Sequence, residues 1–207
     1  MLGQAAITMW WDIAPEMRAE FEDWHSHEHM PERLGIPGFL RGTRCIACSG
    51  EPSYFVLYEA SRLATITRGP YLERLNHPSP WSRRMMPHHA NMVRSLCRVR
   101  ASFGGVISGA MATIRFTPSH ATSSLAAQLA RLRARKGLTG AHLLESQPMP
   151  GTRTTEQKIR GKDAQADWVL LICGYDVDAV KAVELGALAG AVHGIYRPAY
   201  SLTPRDL

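Results

Sequence analysis

One stretch does most to decide the fold of this chain: EFEDWHSHEHMPERLGIPGF, at residues 20–39. Apolar residues just before and within this stretch recur at the spacing of one helical face. The sequence therefore predicts a helix, and we expect it to start at Pro15. Pro31 disfavours helical geometry in the residue before it, and we therefore expect the helix to end near His29. The turn signal GIPG and the apolar residues that follow it predict a strand.

The predicted elements then follow one order twice. Residues 1–104 give strand, helix, strand, strand, helix and strand, and residues 105–207 repeat that order. Two sheets of this kind bury their open faces when they pack against each other. The sequence therefore predicts an α+β protein of two tandem ferredoxin-like β-α-β-β-α-β halves, packed sheet to sheet as an α+β barrel. We expect one domain at 1–104 and a second, degenerate one at 105–207.

The composition is that of a globular protein, with 45% hydrophobic and 20% charged residues in 207. No apolar run approaches the roughly 20 residues that a membrane span needs. The first residues, MLGQAAITMWWD, lack the pattern of a secretory signal, so we expect a cytoplasmic protein without a membrane partner.

Cys45 and Cys48 lie three apart on a predicted strand, where they point to opposite faces, and we interpret them as buried structural thiols.

The net charge of +6 is unevenly distributed. Between Arg74 and Leu144 there are eleven basic and no acidic residues, whereas seven acids lie between Asp12 and Glu32. The basic stretch is compatible with nucleic-acid phosphates, with an anionic substrate held by arginine pairs, or with surfaces that face the acidic first helix, within the fold or across a homodimer. Because no nucleic-acid motif is present, we favour the last explanation and predict no nucleic-acid partner.

The first half resembles the EthD-like branch of the dimeric α+β barrel superfamily. The resemblance rests on a helix that ends in a His-x-Pro element, here His29-Met30-Pro31, with the pair Trp24-His25 one turn earlier. The second half has the element order without the histidine-rich helix, and it looks like a fused copy that stands in for a second subunit. The resemblance implies a range of activities: lactone isomerases, polyketide cyclases, cofactor-free monooxygenases and haem-dependent dehydratases all occur in the superfamily.

The histidine-rich helix, which we call the histidine helix, supplies the candidate catalytic residues. The apolar stripe through Trp24 reaches Glu28 four residues later, where partial burial raises the pKa of a carboxylate. His25 and His29 lie beside this stripe, and together with Glu28 they form an acid/base cluster, with His29 as the leading general base. His27 lies on the opposite, solvent-facing side.

A metal site is the rival hypothesis for these residues. His25 and His29 have the i, i+4 spacing of zinc helices, and Glu28 or Glu32 is a conceivable third ligand. The order is not His-Glu-x-x-His, however, because Glu28 directly precedes His29. We therefore predict neither a bound metal nor another cofactor.

Aromatic residues concentrated in the first half form the predicted wall of a small-molecule pocket. Arg44 is placed to stabilise an enolate or carboxylate, and the neighbours His88 and His89 reach the cleft or are exposed. The predicted wall comprises Trp11, Trp24, Tyr54, Tyr58, Tyr71 and Trp81. Tyr71 and Trp81 flank YLERLNHPSPW, which resembles the family's segment over the mouth of the cleft.

Together these residues predict a cofactor-independent enzyme that acts by proton transfer, as an isomerase, cyclase or lyase. Its substrate is expected to be small, aromatic-derived or lactone-like, and anionic in one variant of the hypothesis. Two alternatives remain open: an oxygenase or haem-dependent member of the same superfamily, and a barrel that binds a small ligand without a reaction.

Overall fold

A computed structural model describes residues 1–48, 52–117, 122–148, 151–185, 188 and 190–207 of the chain, without the side chains of 122–124. Eight strands form its framework. They are β1 (Ala5–Ile13), β2 (Phe39–Ala47), β3 (Tyr54–Ala60), β4 (His89–Gly104), β5 (Ala110–Phe116), β6 (Leu138–Gln147), β7 (Trp168–Gly174) and β8 (Val192–Leu202).

Short helices cover the strands from outside. They are α1 (Arg18–Trp24), α2 (Met30–Leu34), α3 (Leu63–Thr67), α4 (Pro70–Asn76), α5 (Pro80–Met85), α6 (Thr122–Leu132), α7 (Thr155–Arg160) and α8 (Val177–Lys181). None of these described helices is long and apolar enough to cross a membrane.

The strands close into one antiparallel barrel in the order β1-β3-β2-β8-β5-β7-β6-β4. The order 4-1-3-2 of the first four strands is repeated by the last four, which confirms the predicted tandem ferredoxin-like α+β fold. The two halves meet where β2 pairs with β8 and where β4 pairs with β6. β4 ends at Gly104, and the division into two domains at that residue stays a prediction.

Alternation along each strand separates two apolar layers. On β3, Phe55 and Leu57 point into the barrel, whereas Tyr54, Val56 and Tyr58 face the helices, because successive side chains of a strand point to opposite faces. The barrel interior joins both halves, because the indole N–H of Trp10 donates to Thr113 Oγ1 across 3.1 Å. The candidate site therefore lies outside the barrel, between the sheet and the helices of the first half.

The predicted end of the first helix at His29 is wrong. The chain continues as a helix to Leu34, with a π-helical turn at His25–His29 between α1 and α2. Met30 N–H donates to the carbonyl of His25, five residues back. The wider turn accommodates Pro31, which lacks an N–H and would clash with a carbonyl one turn earlier in a regular α-helix.

A segment that the sequence indicates only as a polar loop, 148–163, crosses from the second half to the first; its residues 149 and 150 lie outside the described residues. We call residues 151–166 the strap. The strap contains α7, which begins with a capping box between Thr154 and Gln157. Ala164 then exchanges backbone hydrogen bonds with β4, at Met92 and Arg94.

The expectation of two buried thiols holds for only one residue of the Cys-x-x-Cys pair. Cys45 is buried inside the barrel, whereas Cys48 follows the end of β2 and is exposed. The interpretation of Cys48 as a buried structural thiol is therefore wrong, because the strand ends at Ala47 and Cys48 lies beyond it.

The β4–β6 seam provides a test of barrel closure at Gly140. A Cβ atom on Gly140 would lie 2.1 Å from the carbonyl oxygen of Gly105, so one of the paired strands must shift. We expect Gly140→Ala to lower the free energy of unfolding by about 2–3 kcal/mol in urea titrations. Gly105→Ala is the control, because nothing lies within 4 Å of its Cβ, and its effect should stay within about 0.5 kcal/mol. Equal losses of stability in the two variants would contradict the close backbone contact at the β4–β6 seam.

Candidate functional site

Three imidazole rings lie within one layer of aromatic side chains above the outer face of β1. The ring centroids of His25 and His29 are 5.6 Å apart, since residues four apart share one face of a helix. His89, at the start of β4, lies 5.3 Å from Trp11. The ring of Trp24 packs against that of His29, with the two centroids 4.4 Å apart. We call this group, with Phe21, the histidine chamber.

The chamber is closed to solvent. The exposed fractions of His25, His29 and His89 are 1%, 7% and 8%. His89 Nδ1–H donates to the Met85 carbonyl, 3.1 Å away, whereas the Nδ1 atoms of His25 and His29 have no hydrogen-bond partner among the described residues. A molecule that reaches these nitrogens must therefore displace part of the helical layer.

Burial keeps all three imidazoles neutral at pH 7. It lowers the pKa of His25 and of His29 well below the usual 6.5, and the guanidinium of Arg44 adds to this effect at His25, as that of Arg33 does at His29. Burial lowers the pKa of His89 to about 3. A neutral imidazole can accept a proton, which is the property that a general base needs.

Glu28 lies beside the chamber and binds another element. Its Oε1 accepts hydrogen bonds from the indole of Trp24 at 3.1 Å and from the hydroxyls of Ser79 and Ser82 at the start of α5. No hydrogen bond joins Glu28 to His25 or His29 within the described part of the chain. The carboxylate therefore attaches α5 to the histidine helix, and its role as an acid stays a prediction.

Tyr58 and Arg44 are the predicted binding residues that rise from the sheet towards His25. The Tyr58 hydroxyl lies 3.5 Å from His25 Nε2. The Arg44 guanidinium lies 5.9 Å from the Phe21 ring centroid, and its Nη1 donates to the Glu22 carbonyl and to Ser26 Oγ at 3.0 Å each. Both side chains come from the outer face of the sheet, on β3 and β2.

The other predicted wall residues lie at different distances from the imidazoles. The ring of Tyr54 packs against Phe21 at 4.7 Å, while its hydroxyl donates to Glu22. Tyr71 is buried farther along the layer and accepts a hydrogen bond from Arg94. Trp81 lies at the rim, half-buried, and donates to Glu20.

The predicted pair His88 and His89 separates. His89 is buried in the chamber, whereas His88 is exposed. His27 is exposed as predicted and contacts Asp23. The acid-free stretch contributes an ion pair to the histidine helix, between Arg74 and Glu32.

Sequence reasoning missed the buried ion pair between Arg33 of α2 and Glu156 of the strap. Their side chains are 2% and 4% exposed. The signature Thr154-x-x-Gln157 indicates a helix start at the strap, but nothing in the sequence indicates that this helix lies against a residue 123 positions away. Within the described ranges, no group of three His, Cys, Asp or Glu residues is arranged to hold a metal ion.

No family model and no curated protein matches this sequence. Solved structures resemble its fold over nearly the whole chain. An anthrone oxidase-like protein superposes with a TM-score of 0.66 at 12% identity, over 98% of this chain and 94% of that one.

Two further similar structures belong to proteins named as candidate monooxygenases. The one from Fusobacterium nucleatum gives a TM-score of 0.59 at 10% identity, over 98% of this chain and 96% of that one. The one from Lactobacillus acidophilus gives 0.57 at 8% identity, over 97% of each chain. At such identities the comparisons establish the shared fold, an eight-stranded ferredoxin-like barrel. The EthD-like branch and the homodimer stay predictions.

The buried histidines should make the protein sensitive to mild acid. Histidine in an unfolded chain titrates near pH 6.5. In the fold, burial lowers the pKa of His25 and His29 well below that value, the pKa of His89 to about 3 and the pKa of His142 to about 4, so these four side chains stay neutral in mild acid. The unfolded state therefore takes up more protons as the pH falls, and each such histidine removes about 1.4 kcal/mol of stability per pH unit. Urea titrations should show a loss of about 4–5 kcal/mol between pH 6 and pH 5.

The matched variants for this experiment are His89→Gln and His27→Gln. Removing His89 should reduce the pH slope by about a quarter, because one of the four protonation events is gone. Removing exposed His27 should leave the slope unchanged. An identical pH slope in the parent and in His89→Gln would contradict the assignment of His89 as a buried, neutral histidine.

The strap should depend on the buried ion pair. Glu156→Gln leaves the Arg33 guanidinium buried without its partner's charge, and we expect a loss of about 3 kcal/mol in the free energy of unfolding. The control is Glu145→Gln, because the Arg100–Glu145 pair is 48% and 26% exposed and should contribute less than about 1 kcal/mol. Similar losses in both variants would rule out a special contribution of the buried pair.

Proposed function

We propose that this protein is a cofactor-independent oxygenase that acts on a small aromatic molecule with an acidic C–H group conjugated to a carbonyl through the aromatic rings. One observation carries the proposal: the neutral imidazoles of His25 and His29 lie buried among aromatic rings, and their Nδ1 atoms form no hydrogen bond with any described residue. The similarity in fold to an anthrone oxidase-like protein also supports the proposal of an oxygenase.

The chemistry begins with proton transfer. His29, as general base, takes the acidic proton of the substrate, and His25, next to Tyr58, is the second imidazole available for proton transfer. The aromatic rings of Phe21 and Trp24 provide flat apolar contacts for the substrate. Burial excludes water, which would otherwise reprotonate the carbanion.

The carbanion then reacts with dioxygen. A methylene group flanked by aromatic rings and one molecule of dioxygen give a carbonyl group and one molecule of water. One oxygen atom enters the substrate, the other leaves as water with the two methylene hydrogens, and all four electrons come from the substrate. The reaction therefore needs no external reductant.

The isomerase, cyclase and lyase hypotheses differ from this proposal in one measurable respect. Such an enzyme would use the same proton transfer by His29 and Glu28 without consuming dioxygen. Anaerobic incubation separates these possibilities, since an enzyme that only transfers protons would form product in the absence of dioxygen.

The test uses anthrone as the probe, with oxygen uptake and incorporation of isotopically labelled dioxygen into anthraquinone as measurements. We expect His29→Gln and His25→Gln each to lower kcat/KM by about 100-fold or more, the usual contribution of a general base. His27→Gln, which changes an exposed residue of the same helix, should keep the parent rate. Parent turnover no faster than the uncatalysed oxidation would refute the proposal, as would product formed anaerobically or a Soret band in the active protein.

A further inference from the structure

Buried polar atoms without a partner are concentrated in and around the histidine chamber. Six such side-chain atoms occur among the described residues, and Thr139 Oγ1 is the one in the second half. The other five are Trp11 Nε1, His25 Nδ1, His29 Nδ1, Arg33 Nη1 and Arg44 Nε. Native proteins rarely leave such groups unpaired, so a cluster of five requires an explanation.

The indole of Trp11 differs from three other indoles of the chain. Trp10 donates to Thr113, Trp24 to Glu28 and Trp81 to Glu20. The N–H of Trp11 has no acceptor within the described part of the chain, although the residue is only 2% exposed. It is a fixed donor held among apolar rings.

Arg44 adds a buried positive charge next to the same rings. The residue is 6% exposed, and no carboxylate among the described residues lies within 4.0 Å of its guanidinium nitrogens. Its Nη1 is used by Glu22 and Ser26, which leaves Nε as a donor. The Glu22 carboxylate acts on this guanidinium only from beyond ion-pair distance, and an anionic ligand at Nε would supply the direct partner.

Trp11 and Arg44 both border the ring of Phe21. Trp11 lies 5.8 Å from Phe21 and 6.2 Å from His25, measured between ring centroids. The Arg44 guanidinium lies 5.9 Å from the centroid of Phe21. Both donors therefore border Phe21, and the Trp11 indole also lies next to the imidazole of His25, which can accept a proton.

We propose that Trp11 Nε1–H binds the anionic oxygen of the substrate beside His25 and Phe21, and that the Arg44 guanidinium, which borders Phe21, contributes its Nε–H and its positive charge to this site. The inference rests on the proposed function and deepens it, because it names the residue that binds the substrate oxygen on which ionisation to an enolate or a phenolate places the negative charge. As the C–H proton leaves, negative charge grows on this oxygen, and the two donors stabilise it. Trp11 is then a catalytic residue that contacts the reacting group.

The test is a binding measurement that needs no turnover. The probe is 4-nitrophenol, whose phenolate has its own visible absorption band, and the neutral control ligand is 4-nitroanisole, in which the oxygen is methylated. Trp11→Phe keeps an aromatic ring and removes the N–H. We expect this variant to bind the phenolate about tenfold to a hundredfold more weakly and to bind 4-nitroanisole as the parent does.

Two control variants make the result specific. Trp10→Phe removes an indole N–H inside the barrel and should leave the binding of both ligands unchanged. Arg44→Met removes the charge and should also weaken phenolate binding alone, which keeps the inference testable if Trp11→Phe does not fold, as judged by its thermal unfolding.

The outcomes separate the two proposals. Unchanged phenolate binding in Trp11→Phe, or an equal loss for both ligands, would overturn the oxyanion role even if the parent oxidises anthrone. Selective loss of phenolate binding would support the role even if the parent shows no oxygenase activity.

Discussion

Barrel closure is the constraint on which the rest of this structure depends. Each of the eight strands has two neighbours, because β2 pairs with β8 and β4 pairs with β6. An open four-stranded sheet would leave two unpaired edges, which tend to associate with other chains. Each half of the chain satisfies the edges of the other, and their inner faces form one apolar interior that includes Trp10, Phe55 and Tyr196.

Closure also determines where the candidate site lies. The described interior of the barrel is filled with side chains, and the candidate site residues lie on the outer face, under the helices of the first half. There the i, i+4 spacing places His25 and His29 on one face of the helix, and the strap adds Glu156 opposite Arg33. The chamber is therefore made by the first half and covered in part by the second.

The sequence predicts the framework well because its signals are local. The alternation on β3 follows from a period of two, and the repeated element order predicts the tandem barrel. The predicted end of the histidine helix is wrong because Pro31 has two structural solutions, termination or a widened turn, and one sequence does not distinguish them. The burial of His89 and the partner of Arg33 depend on contacts between distant segments, which local patterns do not encode.

The fusion of two ferredoxin-like halves in one polypeptide has a consequence for stoichiometry. A symmetric dimer of single halves repeats every residue, and any site made from one surface occurs twice. Here the histidine-rich helix occurs once, and the strap that reaches it comes from the half that lacks such a helix. The described residues thus form one histidine chamber per polypeptide, so the proposed function implies one ligand molecule per chain, where a symmetric dimer of single halves would bind two.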